Sequence, residues 1–237
     1  TTASRTTQRL RHGFIVIQIA LSFVLLAGAA LLGSSLQRVL ALSPGFEADH
    51  LLAARVSLPP GGSRTTDAIV SLLERLTGSI HAQPGARAVG LTTKLPLEGD
   101  VKSAVTVRGF TPRAGESVRG HYTYGVLGDF FDAMGIPVKE GRAMTRADDA
   151  GAARVCVVDE DFARRYWPDG QAIDQVVFAG ATRGPDAEGF RVIGVVAAVK
   201  QSSLTDEARQ GAVYFPFRYY GDASFFVVTR TEREPLP

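Results

Sequence analysis

The chain is poor in the residues that most often carry chemistry. Among 237 residues there is one cysteine, Cys156, so no internal disulfide can form. In an oxidising compartment the fold must then hold by packing alone. The four histidines, His12, His50, His81 and His121, are scattered with no metal-ligand spacing. Neither a Gly-x-Ser-x-Gly nucleophile turn nor a Gly-x-x-x-x-Gly-Lys phosphate loop occurs. Asp159-Glu160-Asp161 is the densest acidic run, but neighbours on a helix do not face one another. It reads as the start of a helix, not as a metal or acid–base cluster. The 26 basic and 24 acidic residues nearly cancel, and the arginines form no stripe interleaved with aromatics. Nucleic acid is therefore not an expected partner. No catalytic residue, cofactor site or metal site is expected in this chain.

Charge and proline are also missing where they matter most. Residues 14–36, FIVIQIALSFVLLAGAALLGSSL, hold no charge, and no proline occurs before Pro44. As a helix of roughly 23 residues the run spans about 34 Å, enough for a hydrocarbon core of about 30 Å. A helix also satisfies every backbone group in lipid. A buried helix of a soluble protein seldom stays apolar on all faces for so long. A signal peptide is the rival reading, with Ala27-Gly28-Ala29 as a cleavage-like triplet, but its apolar core is shorter. Arg5, Arg9, Arg11 and His12 precede the run, and Arg38 alone follows closely. This asymmetry places the N-terminus in the cytoplasm and everything after about residue 42 outside it. Residues 1–13 are expected to be a basic cytoplasmic lead-in, the end of a loop. Residues 14–42 are expected to be a membrane helix with a short stalk, stopped by Pro44-Gly45. Ala29 with Gly33, and Ala30 with Ser34, are small residues four apart, which let another membrane helix approach. Gln18 and Ser22 can bond across that contact or back to their own helix.

Beyond the membrane the pattern is α+β. Residues 51–58 read as a strand stopped by Pro59-Pro60-Gly61-Gly62. Residues 65–80 read as an amphipathic helix with Ile69, Leu72, Leu73, Leu76 and Ile80 on one face, capped by Thr65 or Thr66. Residues 88–93 form the next strand, making a β-α-β unit, most simply a parallel pair. Residues 104–110 and 120–127 read as a hairpin turning through residues 112–115. A short helix follows over 128–135, then a buried strand over 154–158. Asp159 caps a helix to about Tyr166, with Arg164 and Arg165 at its negative end. Further strands are expected over 176–178, 190–199, 212–217 and 224–229, with a loop over 180–189. Phe130, Phe131, Trp167, Tyr219 and Tyr220 read as core or interface packing in preference to a ligand groove. Cys156, in an apolar strand, reads as a buried, unreactive thiol.

Several segments, in order and spacing, resemble a known family. They are FIVIQIALSFVLLAGAALL, PGFEADHLLAARVSLP, PGARAVGLTTKLPLEG, GDFFDAMGIPVKEGRAMTRADD, VCVVDEDFARRYWPDG and FRVIGVVAAVKQ. Together they are similar to the periplasmic core domain of MacB-type ABC-transporter permeases of the FtsX-like group, covering nearly the whole chain. The flavour is that of permeases built as two such halves. The resemblance implies an inner-membrane protein with a periplasmic core domain over 47–237. It implies a Porter-like part at 47–127 and 205–237 and an inserted Sabre-like part at 128–204, with the chain an excerpt of a longer protein. It also implies membrane lipid, other permease helices or a second half, a periplasmic partner, and a cytoplasmic ATPase that binds ATP in place of this chain. The implied function is a relay of ATP-driven motion through the membrane, with the cargo not specified. Two other readings stay open: a membrane-anchored ligand sensor, and a membrane-tethered periplasmic enzyme.

Overall fold

The computed structural model describes residues 5–58, 66–99, 102–110, 119–151, 154–181, 188–203 and 210–232, with side chains from residue 11 onward in the first helix. Two compact units result, Thr1–Ser43 and Pro44–Pro237. The first is a single helix, α1 (Arg5–Leu40), of membrane length and apolar composition over Arg11–Leu40. It starts well before the expected residue 14, so residues 5–13 of the lead-in are helical, not a loop. Nothing in Arg5 to Gly13 breaks a helix except one glycine, and the long apolar run extends the ladder cheaply once nucleated. Ser22 bonds back to the Gln18 carbonyl (2.8 Å) and Ser34 to the Leu31 carbonyl (2.9 Å), so both hydroxyls are satisfied within the helix.

The second unit is α+β. Its elements are β1 (Leu51–Ser57), α2 (Thr66–His81), β2 (Ala86–Thr92), β3 (Ser103–Val107), β4 (Gly120–Gly128), α3 (Phe130–Met134), β5 (Val138–Gly141), α4 (Arg146–Ala150), β6 (Val155–Asp159), α5 (Glu160–Tyr166), β7 (Val176–Ala179), β8 (Phe190–Val196), β9 (Ala212–Pro216), α6 (Phe217–Tyr220) and β10 (Ser224–Thr231). The strands form one sheet in the order β1-β10-β2-β4-β3-β7-β8-β6-β9, with β5 on β8. A parallel β4–β9 pairing, from Tyr122↔Ala212 to Val126↔Pro216, brings the last strand of that path back to the fourth. Strands β4, β3, β7, β8, β6 and β9 therefore close into a ring, and β1, β10 and β2 extend from it as a three-stranded wing.

The ring encloses Val105, Val107, Cys156, Val158, Val177, Phe190, Val192, Val213 and Phe215, with Phe162 of α5. Alternate residues of the same strands, Tyr122, Tyr124, Val126, Val155, Val157 and Tyr214, face the other way and pack on Phe130, Phe131 and Met134 of α3. A third cluster lies between α2 and the wing: Val70, Leu73, Val89, Leu91, Phe225 and Val227. This is the period-two alternation expected of strands buried on both faces.

Three local expectations need correction. The β-α-β strands are parallel but not adjacent, because β10 runs antiparallel between them, from Leu51↔Arg230 on one side to Phe226↔Thr92 on the other. Helix α2 packs Ile69, Leu73, Leu76 and Ile80 on the wing as expected, with Val70 and Thr77 buried beside them and Leu72 at the margin. The hairpin of β3 and β4 joins at only two pairs, Ser103↔His121 and Ala104↔Gly120; β3 then leaves for β7 and β4 for β2 and β9. Strand β8 stops at Val196, and β5, α4 and α6 lay outside the expected set. The turns at 59–62 and 112–115, the Thr65 cap and most of the 180–189 loop fall outside the described residues.

Glycine matters most where two backbones meet. A Cβ on Gly90 of β2 would lie 2.4 Å from Phe130 Cα and 2.5 Å from its nitrogen. Because backbone, not a movable side chain, stands in the way, α3 would have to lift off the wing. We expect Gly90→Ala to lower unfolding stability by about 2–3 kcal/mol, the cost of overpacking a dense core. Denaturant unfolding of the detergent-solubilised chain measures it.

Candidate functional site

Residues 44–50 follow the helix in sequence and are the first of the second unit. The Lys200 N–H donates to the Pro44 carbonyl at 2.9 Å, and the Glu47 N–H donates to the Met134 carbonyl at 3.0 Å. Gly45 sits at φ +87°, with Ala198 O only 2.5 Å from where a Cβ would be. Phe46 packs into the α3 core cluster. The Thr231 N–H (2.9 Å) and hydroxyl (3.1 Å) both donate to the His50 carbonyl. Three separate parts of the domain thus hold seven consecutive residues: the segment after β8, the end of α3, and the end of β10.

Arg230 binds these parts together. Its Nε donates to the Ala133 carbonyl (3.0 Å), Nη1 to that of Asp49 (3.1 Å) and Nη2 to that of Glu47 (2.8 Å). The guanidinium also pairs with the Glu47 carboxylate at 3.2 Å, and its side chain is 13% exposed. Gly135 makes room: it is the left-handed cap of α3 at φ +64°, and a Cβ there would touch Glu47 Cβ at 2.9 Å and Arg230 Nη2 at 3.0 Å. A planar fork with donors on several sides serves three carbonyls at once and the neighbouring carboxylate.

Other buried polar groups lie deeper. His121 of β4 is wholly buried between the Gln210 carbonyl at Nδ1 and the Tyr166 hydroxyl at Nε2 (2.7 Å), edge-on to Phe162. Burial lowers its pKa to about 4, and the nearby Arg165 and Arg119 push the same way against hydrogen bonding to the Gln210 and Gly211 backbone. A neutral ring donating from Nδ1 and accepting from Tyr166 fits this. Asp159, the cap of α5, accepts the Phe162 N–H at 2.8 Å; burial raises its pKa to about 7. Asp149 is 1% exposed, and neither carboxylate oxygen has a hydrogen-bond partner among the described residues. Burial raises its pKa to about 7, and the Phe217 and Arg218 backbone N–H groups, outside good hydrogen-bond geometry, offset only part of that. Its neighbour Asp148 faces the opposite case: a two-pronged bond from Arg142 (2.6 and 2.8 Å) lowers its pKa to about 2. Tyr124, stacked on Tyr214, donates to the Gln201 side chain beside a cleft of about 220 Å³ lined by Arg55, Lys94, Glu98 and Asp222.

The residues singled out in the sequence are dispersed. Ala29, Gly33, Ala30 and Ser34 stand four apart on α1, exposed, and a Cβ on Gly33 would meet nothing within 4 Å. Phe130 and Phe131 are core, while Trp167, Tyr219 and Tyr220 are part-buried against the ring interior. Cys156 is buried in that interior, which raises its thiol pKa. Arg230 and residues 44–50 were not anticipated. Only the strand order brings them together.

The profile of the MacB-like periplasmic core domain matches residues 16–234. The chain belongs to that family. It therefore carries the extracytoplasmic core domain of a MacB-like ABC-type permease behind one helix of membrane length. Among solved structures it is similar to the periplasmic region of MacB from Actinobacillus actinomycetemcomitans, at 19% identity over 82% of this chain and 80% of that one, TM-score 0.49. It is similar to the extracellular domain of the ABC-type transporter YknZ from Gram-positive bacteria, at 17% identity over 77% and 83%, TM-score 0.46. A domain of a permease protein from Porphyromonas gingivalis aligns at 14% identity over 81% and 80%, TM-score 0.50, and shares the fold. No curated protein matches the chain.

Two predictions follow from these geometries. Arg230→Ala removes three hydrogen bonds, two of them to exposed carbonyls, and should cost about 1–2 kcal/mol, with Arg230→Lys recovering only part of it; unfolding curves of the three chains decide. For Asp149 the folded pKa is raised from 3.8 to about 7, so its contribution to stability is full below pH 3.8 and is lost as pH rises through 7. Asp149→Asn carries no such charge. It should be more stable than the parent at pH 8 by about 2–4 kcal/mol, with the gap closing as pH falls toward 4. His121 runs the other way, its contribution fading as pH falls from 6.5 to about 4.

Proposed function

We propose that this MacB-like domain relays ATP-driven motion across the membrane and performs no chemistry of its own. A partner ATPase on the cytoplasmic side binds the nucleotide, and the family supports that partner. In this reading α1 crosses the inner membrane with its N-terminus in the cytoplasm and the core domain outside. Ala29, Gly33, Ala30 and Ser34 seat α1 against another permease helix, from the same chain or a second half. The domain works as a Porter-like part, 47–127 with 205–237, and a Sabre-like part, 128–204, and hands the motion to a periplasmic partner.

The observation that carries the reading is the seat of residues 44–50. A relay needs its input segment fixed to the body it drives. Here three parts of the domain and the Arg230 guanidinium hold that segment. Only residues 41–43 separate it from α1, and the first two continue the helical bonding, Ala41 N–H to Gln37 O (3.0 Å) and Leu42 N–H to Val39 O (3.2 Å). The cleft beside Tyr124 supports a second reading, the anchored sensor, in which a small ligand there would be reported inward.

A Gly-Gly-Pro insertion after Arg38 tests the relay in the complete permease with its ATPase. A fluorophore on Ser79→Cys, exposed on α2, should change emission when ATP is added. The insertion should abolish that change while ATP hydrolysis continues. An undiminished response would refute the relay, and a response to small polar ligands without ATP would favour the sensor.

A further inference from the structure

Strand β1 lies at the edge of the wing, and among the described residues no strand pairs with its outer side. Its bonding direction can be read from its ends. The Thr231 N–H donates to His50 O, and the Leu58 N–H to Ala223 O, both in line with the β1–β10 register. Antiparallel bonding alternates, so Leu52, Ala54 and Val56 bond inward to β10. Ala53, Arg55 and Ser57 aim their N–H and C=O groups outward, with no strand to receive them. The Leu51 N–H is taken by Ala48 O at 3.3 Å, leaving its carbonyl outward.

An open edge of seven residues, LLAARVS, with one charge is the kind that pairs with another strand. Natural edges are usually blunted by lysine, proline or a bulge, and this one has none of them. The strand is also complementary to itself. In an antiparallel pair with its two-fold axis at Ala54, Ala54 meets Ala54 and Arg55 meets Ala53. Leu52, 49% exposed, meets Val56, which already packs on the α2 cluster. An axis at Arg55 would set the two cations directly opposite. An axis at Ala53 would leave Leu52 facing only Ala54. In the Ala54 register each Arg55 keeps Glu98 of its own chain beside it, at 3.9 Å. The outward residues pair with outward residues, as the ladder requires.

We propose that β1 is a self-association edge, through which two copies of this chain join their wings by antiparallel pairing centred on Ala54. Nothing in this depends on the relay.

Cysteine cross-linking of the whole chain in detergent tests it, since Cys156, the one native cysteine, is buried. Opposed residues of a non-hydrogen-bonded pair stand about 4.5 Å apart at Cα, within disulfide range. Under mild oxidation Ala54→Cys should form linked dimer about tenfold faster than Ser57→Cys, whose counterpart is Leu51 of the second copy, because opposition raises effective concentration. Leu52→Cys mixed with Val56→Cys should link faster than either alone. Adding Ala53→Pro removes an outward donor and no inward one, so it should suppress the Ala54→Cys link while the circular dichroism spectrum is kept. Absence of a link at Ala54, equal linking at Ser57, or a link that survives Ala53→Pro in the folded chain would overturn the proposal.

Discussion

The guanidinium of Arg230 and the strand that carries it hold this domain's beginning to its end. Strand β10 comes last among the described elements yet lies between β1 and β2, and its final residues take the segment that leads into β1. A buried backbone carbonyl without a donor costs about as much as a lost hydrogen bond. Residues 44–50 lie outside any strand or helix; Pro44, Gly45, Phe46 and His50 are half-buried, while Glu47 to Asp49 face solvent and are held there by Arg230. Its guanidinium donates to two of their carbonyls and to a third at the end of α3. The wing is then stitched through long-range contacts, and its cohesion depends on β10 being in place. A fold closed by its last strand forms slowly, because loop-closure entropy must be met before those contacts help.

Charge burial divides along the same architecture. Asp149 and Asp159 are stabilising when protonated, and His121 when neutral. Their contributions change with pH in opposite senses, so the acid and the base losses partly compensate between pH 4 and 7. Asp159 retains a backbone donor and serves as a helix cap, which explains a carboxyl at that depth. Asp149 has no such partner, although Arg218 takes its main-chain carbonyl (2.7 Å) and pairs with Asp67 of α2 (2.6 Å). That arginine ties α4, α6 and α2 around the buried carboxyl.

What could be read from the sequence was what is local. The apolar run identified α1, Asp159 with its downstream arginines identified α5, and Gly135 marked the end of α3. Short elements escaped for definite reasons. All four residues of β5 are exposed, so it has no apolar alternation to detect. Helix α4 has five residues, although its Thr145–Asp148 capping box was present to be seen. The insertion of β10 between β1 and β2 could not be read, since strand order is absent from local patterning. Arg230 looks like any arginine in TRTER, and only the topology brings it to residues 44–50.

The ring and the wing differ in what they can do mechanically. The ring pairs strands all the way round, so no edge of β4, β3, β7, β8, β6 or β9 is needed to close it further. The wing has only three strands, attached to the ring through the β2–β4 pairs at Gly90↔Gly128, Leu91↔Leu127 and Thr92↔Val126. Residues 44–50 are bonded to β10 through Arg230 and Thr231, to α3 through Met134 and to the segment after β8 through Lys200, and they run directly into β1. Strand β10 in turn pairs with β1 on one side and β2 on the other. The seat of residues 44–50 and the open ladder of β1 are neighbours in one sheet, joined by the seven residue pairs of β1 with β10.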